Sequence, residues 1–391
     1  MKTLLITSGL NNDKNSSWLV FSKLIKFFKL THIELVNIIC FTPALFPSQA
    51  NFNEKIISTF LRDKIITASF NRITRKYSWL IANVYAQLYW KKVLNMIDKE
   101  KIERLWVDTD ILSLLILKKV FNRTNISFHI TVYDDPFTNR FYAPFQTKFE
   151  PILKDLFYVA KSIDTPTLML AEHYRSMGYI NENCQISESL VGTFKKQTNP
   201  PIIQNEIEKI GLAGSIYGID ALNNFLDVIE GSFINSNIEF HLRTNVPKVY
   251  LKYIERYYPA ISRNIIIKPF VSENELAYKL QEYDLLYLPM MFDEKYRFKT
   301  DTSFPSKTHN YLASGIPIIV HAPESSSLYQ FFNKNKIGHL INTLDQDAIK
   351  GSIIQLERRE YRESLSESIQ KFNEAQLENR HVKALYKVIT T

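Results

Sequence analysis

The stretch from Asp301 to Val320 limits the possible folds more than any other, because two prolines and a glycine dictate the backbone there. Pro305 suits a first helical turn, where its missing N–H is no loss, and Ser303 stands just ahead as a candidate cap. Tyr311, Leu312 and Ala313 carry the helix to Gly315, a natural left-handed terminator, and Pro317 blocks any further turn. Ile316 to Val320 then reads as a short buried strand of a parallel sheet. Ser303, Pro305, Ser306 and Lys307 therefore gather at a helix start, where spare N–H groups and the positive dipole end favour an anion. With a lysine alongside, the segment is a candidate cradle for a diphosphate.

The same alternation of strand and helix runs along the rest of the chain and calls for an α/β fold. Strands are expected at Lys2–Thr7, His32–Phe41, Ile102–Val107, Ile126–Val132 and Thr167–Leu170, with another around Ile186. Helices are expected at Trp18–Leu30, Ile111–Phe121 and Ala171–Tyr179. Asp134 and Asp135 end the fourth of these strands, where ligands bind in βαβ folds, although Asp135 also suits a simple turn before Pro136. A polar segment holding Pro200 and Pro201 reads as a linker. The alternation then restarts with strand Ile207–Leu212, a Gly211-x-x-Gly214-Ser215 turn and helix Gly218–Ile229. Such a turn lets backbone come close to a phosphate, though alone it is a weak signal. Strands Ile238–Leu242, Asn264–Lys268 and Leu285–Pro289 follow, with helix Glu273–Glu282 and a polar loop Met290–Thr302 that carries Arg297.

The 391 residues, 45% hydrophobic and 23% charged, suit two or three soluble globular domains. A net charge of +8 favours an anionic partner. Between Phe52 and Ile97, Arg62, Lys64, Arg72, Arg75, Lys76, Lys91 and Lys92 interleave with Phe60, Phe70, Tyr77, Trp79, Tyr85, Tyr89 and Trp90. That mixture suits an anionic membrane surface, or equally aromatics packed inward beneath solvated charges. Without an RNA-binding motif, no nucleic-acid partner is expected. No apolar run is long enough to span a membrane. The first ten residues are too short a leader and read as a strand, and Cys40 and Cys184 fit a reducing compartment. The expected location is cytoplasmic, peripheral on the inner face of the plasma membrane.

Pro305-Ser306-Lys307, the aromatic Tyr311, Leu312-Ala313-Ser314-Gly315 and the Pro317-led strand resemble, in order and spacing, the nucleotide-sugar motif of the retaining GT-B glycosyltransferases. The resemblance covers most of the second half in order and the first half only in architecture. It implies two Rossmann-like domains facing across a cleft. The expected boundaries are an acceptor domain over 1–195, a linker over 196–206, a donor domain over 207–375 and a C-terminal helix over 376–391 crossing back to the first domain. It implies that Gly214 and Ser215 form the other phosphate-side loop and that Phe270 and Val271 hold the nucleobase. Asp134 and Asp135 would face the acceptor, with Tyr133 in place of the family's basic partner. The implied reaction moves a sugar from a UDP- or GDP-linked donor to a glycan or lipid-linked acceptor in bacterial surface polysaccharide or glycoconjugate synthesis, with retention and without a metal or other cofactor.

Two departures matter. Where many members carry two glutamates eight positions apart, this chain has Thr302 and Asn310. Asn310 still offers hydrogen bonds to a ribose, and Asp301 stands beside Thr302 as a substitute. The loss also admits a non-catalytic, sugar-nucleotide-binding partner subunit. Separately, Asp108-Thr109-Asp110 resembles the metal-binding Asp-x-Asp of the single-domain GT-A fold, while Asp110 serves equally well as a helix cap. The eight histidines show no metal-ligand spacing.

Overall fold

The structure is a computed structural model in which residues 3–7, 35–40, 57–58, 78–132, 135–137, 145–188, 201–232, 238–244, 248–259, 261–269, 271 and 273–377 are described. The chain divides into two compact units, Met1–Gly192 with Arg380–Thr391, and Thr193–Asn379. The expectations for 18–30, 59–77, Asp134, Phe270, 189–200 and 378–391 fall outside the described residues.

In the first unit the strands are β1 (Thr3–Thr7), β2 (Leu35–Cys40), β3 (Ile57–Ser58), β4 (Arg104–Asp108), β5 (Ser127–Thr131), β6 (Ser162–Thr165) and β7 (Gln185–Glu188). They form one parallel sheet in the order β3-β2-β1-β4-β5-β6-β7. The direction of winding reverses between β1 and β4, the feature that defines a doubly wound sheet. The helices are α1 (Ser78–Glu100), α2 (Ile111–Thr124), α3 (Gln146–Val159) and α4 (Leu168–Ser176). Asp110 caps α2 by accepting from Ser113 N at 3.0 Å, and Asn125 ends it in the left-handed region. The sheet carries a buried polar layer as well as aliphatic packing. His129 bridges Ser162 at 2.8 Å and Asp164 at 2.6 Å, and Thr131 donates to the same Asp164 oxygen.

One expected strand is corrected. Thr167–Leu170 opens a helix, with Thr167 accepting from Leu170 N at 3.3 Å as its cap, and the strand lies earlier, at Ser162–Thr165. A four-residue apolar run carries no period of its own, so the threonine cap decides.

The second unit repeats the plan. Its strands are β8 (Lys209–Ala213), β9 (Glu239–Arg243), β10 (Ile265–Ile267), β11 (Leu285–Pro289), β12 (Ile318–His321) and β13 (His339–Ile341), all parallel in the order β10-β9-β8-β11-β12-β13. Winding reverses between β8 and β11. The helices are α5 (Ile219–Ser232), α6 (Lys248–Tyr257), α7 (Glu273–Lys279), α8 (Arg297–Thr302), α9 (Lys307–Ser314), α10 (Ser327–Asn335), α11 (Gln346–Glu357) and α12 (Arg359–Leu377). Each sheet face buries its own core, one around Phe225, Phe240 and Tyr287, the other around Tyr283, Tyr311 and Phe332. Arg362 of α12 is buried, and its Nη2 donates to the carbonyls of Gln204 and Asn205, so the last helix is tied to the segment leading into β8.

Candidate functional site

Ligands of doubly wound sheets bind beyond the carboxyl ends of the strands, at the point where winding reverses. In the second unit that point lies beyond Ala213 of β8 and Pro289 of β11. Three segments meet there.

The first is the loop after β8. Gly214 has φ +79°, a conformation a side chain resists, and a Cβ on it would come within 3.4 Å of Lys307 Cδ. The amide of Gly214 already donates to Arg243 O at 3.1 Å. Its contribution is thus the space left by a missing side chain. The other glycine of the expected turn, Gly211, is inside β8, and the ring of Tyr283 lies where its side chain would stand. The two glycines therefore do different jobs, and only Gly214 belongs to the loop.

The second segment is α9. Gly315 ends it at φ +72° and Pro317 leads into β12, as the sequence requires. Its start is two residues later than expected. Lys307 is the first helical residue, Ser306 is the cap position without a side-chain cap bond, and Pro305 accepts from Thr308 N at 3.0 Å. Ser303 caps nothing at α9. It terminates α8, and its amide donates to Lys299 O at 2.9 Å. The Thr308 and His309 amides are already taken by Pro305 and Ser306, so those of Ser306 and Lys307 lie at the helix mouth. Tyr311, fully buried, fixes the helix to the sheet: its hydroxyl accepts from Ala213 N at 2.7 Å.

Lys307 joins the two segments. Its Nζ donates to Ser215 O at 2.6 Å and lies 5.3 Å from the centre of the Tyr217 ring. It is 7% exposed and enters no ion pair among the described residues, and burial pushes its pKa down to about 7. A diphosphate in this position would supply the missing negative charge.

The third segment follows β11. Asp220, in the first turn of α5, accepts from the amides of Phe292 at 2.7 Å and Asp293 at 3.1 Å. Gly218 is the reason α5 can start so close, since a Cβ there would lie 2.2 Å from Met290 O. Of the expected polar loop over 290–302, residues 290–293 are loop, Glu294–Tyr296 is a 3-10 turn and the rest is α8. Arg297 is exposed on α8 and paired with Glu294 at 3.4 Å and Asp301 at 3.7 Å; among the described residues no hydrogen bond joins it to Lys307 or the Gly214 loop. Asn310 is half-buried in α9, and Val271 is half-buried beyond β10. Sequence reading misses Arg243, buried at the carboxyl end of β9 with Nη1 donating to Pro269 O at 2.8 Å. No local pattern marks it, because its position depends on which strand lies beside β8.

In the first unit, Asp135 is buried and accepts from Tyr174 OH at 2.6 Å and Phe137 N at 3.1 Å, the bonding of a side chain that holds a turn. Among the described residues no cluster of His, Cys, Asp or Glu is built to hold a metal, and Asp110 is used as the cap of α2.

Residues 228–388 match the family described as glucosyltransferase 3-like, C-terminal domain. Along its whole length the chain is similar to the lipopolysaccharide outer core galactosyltransferase WaaB in its apo form (13% identity, TM-score 0.61, covering 100% of this chain and 99% of that one). It is similar to WaaG, a glycosyltransferase involved in lipopolysaccharide biosynthesis (10%, TM-score 0.62, 100% of each chain). A third similar structure is "Trehalose-6-phosphate from E. coli bound with UDP-2-fluoro glucose" (9%, TM-score 0.64, 100% and 99%). The chain has the GT-B fold. No curated protein sequence matches it.

Proposed function

We propose that this GT-B protein is a glycosyltransferase that moves a sugar, with retention, from a UDP- or GDP-linked donor held by the second unit to a glycan or lipid-linked acceptor handled by the first. The observation that carries the reading is the meeting of Lys307, the Gly214–Ser215 loop and the mouth of α9 at the winding reversal of the second sheet. A phosphate oxygen reaching Lys307 Nζ replaces the Ser215 carbonyl and restores the ammonium form that burial disfavours. The amides of Ser306 and Lys307 add oriented donors where charge develops on the leaving group. Asn310 supplies an amide for ribose hydroxyls, and the backbone at Phe270 and Val271 supplies the base-holding edge. Asp134 is the proposed acceptor-facing acid or base, while Asp135, tied to Tyr174, holds the turn.

Work in lipopolysaccharide synthesis by WaaB and WaaG supports a role in bacterial surface polysaccharide or glycoconjugate assembly. Leu80, Val84 and Leu88, exposed at four-residue spacing on α1, with exposed Lys91 and Lys92 beyond them, support peripheral contact with an anionic membrane face. Among the described residues no helix is long and apolar enough to cross a membrane.

A second reading, a sugar-nucleotide-binding partner without catalysis, is favoured by one feature. Thr302 Oγ1 donates to Phe298 O at 2.7 Å and Asp301 Oδ1 accepts from Ser325 at 2.6 Å, so both side chains are engaged within the fold. Release of free UDP or GDP from a panel of UDP- and GDP-sugars, with oligosaccharide and lipid-linked acceptors added, separates the two. Release establishes the transferase. Donor binding with no release establishes the partner, and no donor binding removes both.

A further inference from the structure

Beyond the transfer site, the first unit carries a groove at the opposite, amino-terminal edge of its sheet. Ser127 begins β5 there, whereas Asp135 follows its carboxyl end. Two cavities adjoin, of about 620 Å³ and about 540 Å³, and share Tyr158 and Val159 as their common wall. Tyr158 is 55% exposed, and Val159 and Met177 extend the apolar surface beside it. The walls are the ends of α2 and α3, the start of β5 and the connections that lead into β5, β6 and β7.

The polar groups around this ring are of a particular kind. Asn125 and Asn183 expose their carboxamides, and Lys161 exposes an ammonium with no ion pair among the described residues. The Ser127 hydroxyl is buried at the cavity wall and has no hydrogen-bond partner among them. Other nearby charges are already used: Lys154 pairs with Glu150 at 2.8 Å and Asp155 with Lys118 at 2.8 Å. The backbone that carries the ring is held in place. Asn181 donates its side-chain amide to the Tyr158 carbonyl, and the Asn183 amide donates to Asn181 Oδ1 at 2.8 Å.

An exposed aromatic face flanked by groups that both donate and accept is suited to a sugar ring, which has a C–H face and a rim of hydroxyls. A lipid surface would call for several free cations. We propose that this groove holds a glycan chain, spanning at least two sugar residues across Tyr158, at a site separate from the transfer chemistry. The assignment rests on the groove's own side chains and is tested without a sugar donor.

The test is calorimetric titration of the full chain with cellohexaose, maltohexaose and chitohexaose, with glucose as the monomer control. At least one hexasaccharide is expected to bind saturably and more tightly than glucose. Tyr158→Ala should weaken that binding at least tenfold, and Lys161→Ala and Asn183→Ala about threefold each. All three side chains are exposed, so the variants should melt as the wild type does. The idea is overturned if no hexasaccharide binds at millimolar concentration, if glucose binds as tightly, or if Tyr158→Ala leaves binding unchanged. UDP-induced stabilisation, measured in the same variants, should be unaffected; its absence in the wild type would count against the donor site and not against the groove.

Discussion

A lysine ammonium taken out of water loses hydration that one carbonyl and one ring only partly replace, and Lys307 is in that position. Folding lowers its pKa from 10.5 to about 7, so between these values the unfolded chain holds a proton that the folded chain has released. Stability of the second unit therefore rises with pH across that window, and the cost is fully present below about pH 7. Lys307→Met, which keeps the length and removes the amine, should raise the melting temperature at pH 6–7. It should also lower sugar transfer at least 100-fold, within the range expected for one leaving-group contact. Wild-type affinity for UDP or GDP should fall from pH 7 to pH 9 with uptake of a proton, and the variant should lose that dependence. Parallel loss of stability and affinity in Lys307→Met would make the lysine structural. Much of this site is legible in the sequence, because Pro305, Gly315 and Pro317 restrict the backbone wherever they occur. Arg243 and the tie between Asp135 and Tyr174 are not, since each depends on neighbours that only the sheet brings together.

Elements meet at glycines for different reasons, and two substitutions separate them. Gly218→Ala drives a Cβ into the backbone of Met290, where nothing can rotate away, and should cost about 1–3 kcal/mol or more. It should also displace the loop that Asp220 holds, and with it nucleotide affinity. Gly351→Ala, inside α11 with nothing within 4 Å, should stabilise by about 0.5–1 kcal/mol. Thermal melting of both variants checks the pair; equal effects would mean that the α5–β11 contact is looser than described. On α1, Leu80→Ser, Val84→Ser and Leu88→Ser together should abolish co-sedimentation with anionic vesicles, which salt should also release. Wild-type protein that fails to sediment at low salt would withdraw the membrane contact. Most strands of the second unit are legible as apolar runs between turn residues. The helix α1 is not, because aromatic and basic residues on every side hide its period, and its buried line of Ala86, Val93, Met96 and Ile97 is short.

At the scale of the whole chain, one winding plan occurs twice, and the second unit carries within itself the features proposed to bind the nucleotide. That separation has a thermodynamic consequence. A ligand that binds only the folded second unit stabilises that unit by RT ln(1 + [L]/Kd), about 2.7 kcal/mol at a hundredfold excess over Kd. For a domain of this size, each kcal/mol moves the midpoint by roughly 2–4 °C. UDP or GDP should therefore raise the second unit's transition by about 5–11 °C. The parent nucleoside, lacking the diphosphate that Lys307 and the α9 mouth are proposed to hold, should do far less. Hydrogen exchange identifies which unit responds. Protection should rise at 213–217, 289–293 and 305–310, while β4, β5 and β6 of the first unit exchange as before. Equal stabilisation by nucleoside and nucleotide would mean that the base carries the binding and that the Gly214–Lys307 arrangement serves the fold alone. Protection confined to the first unit would move the donor site out of the second sheet altogether.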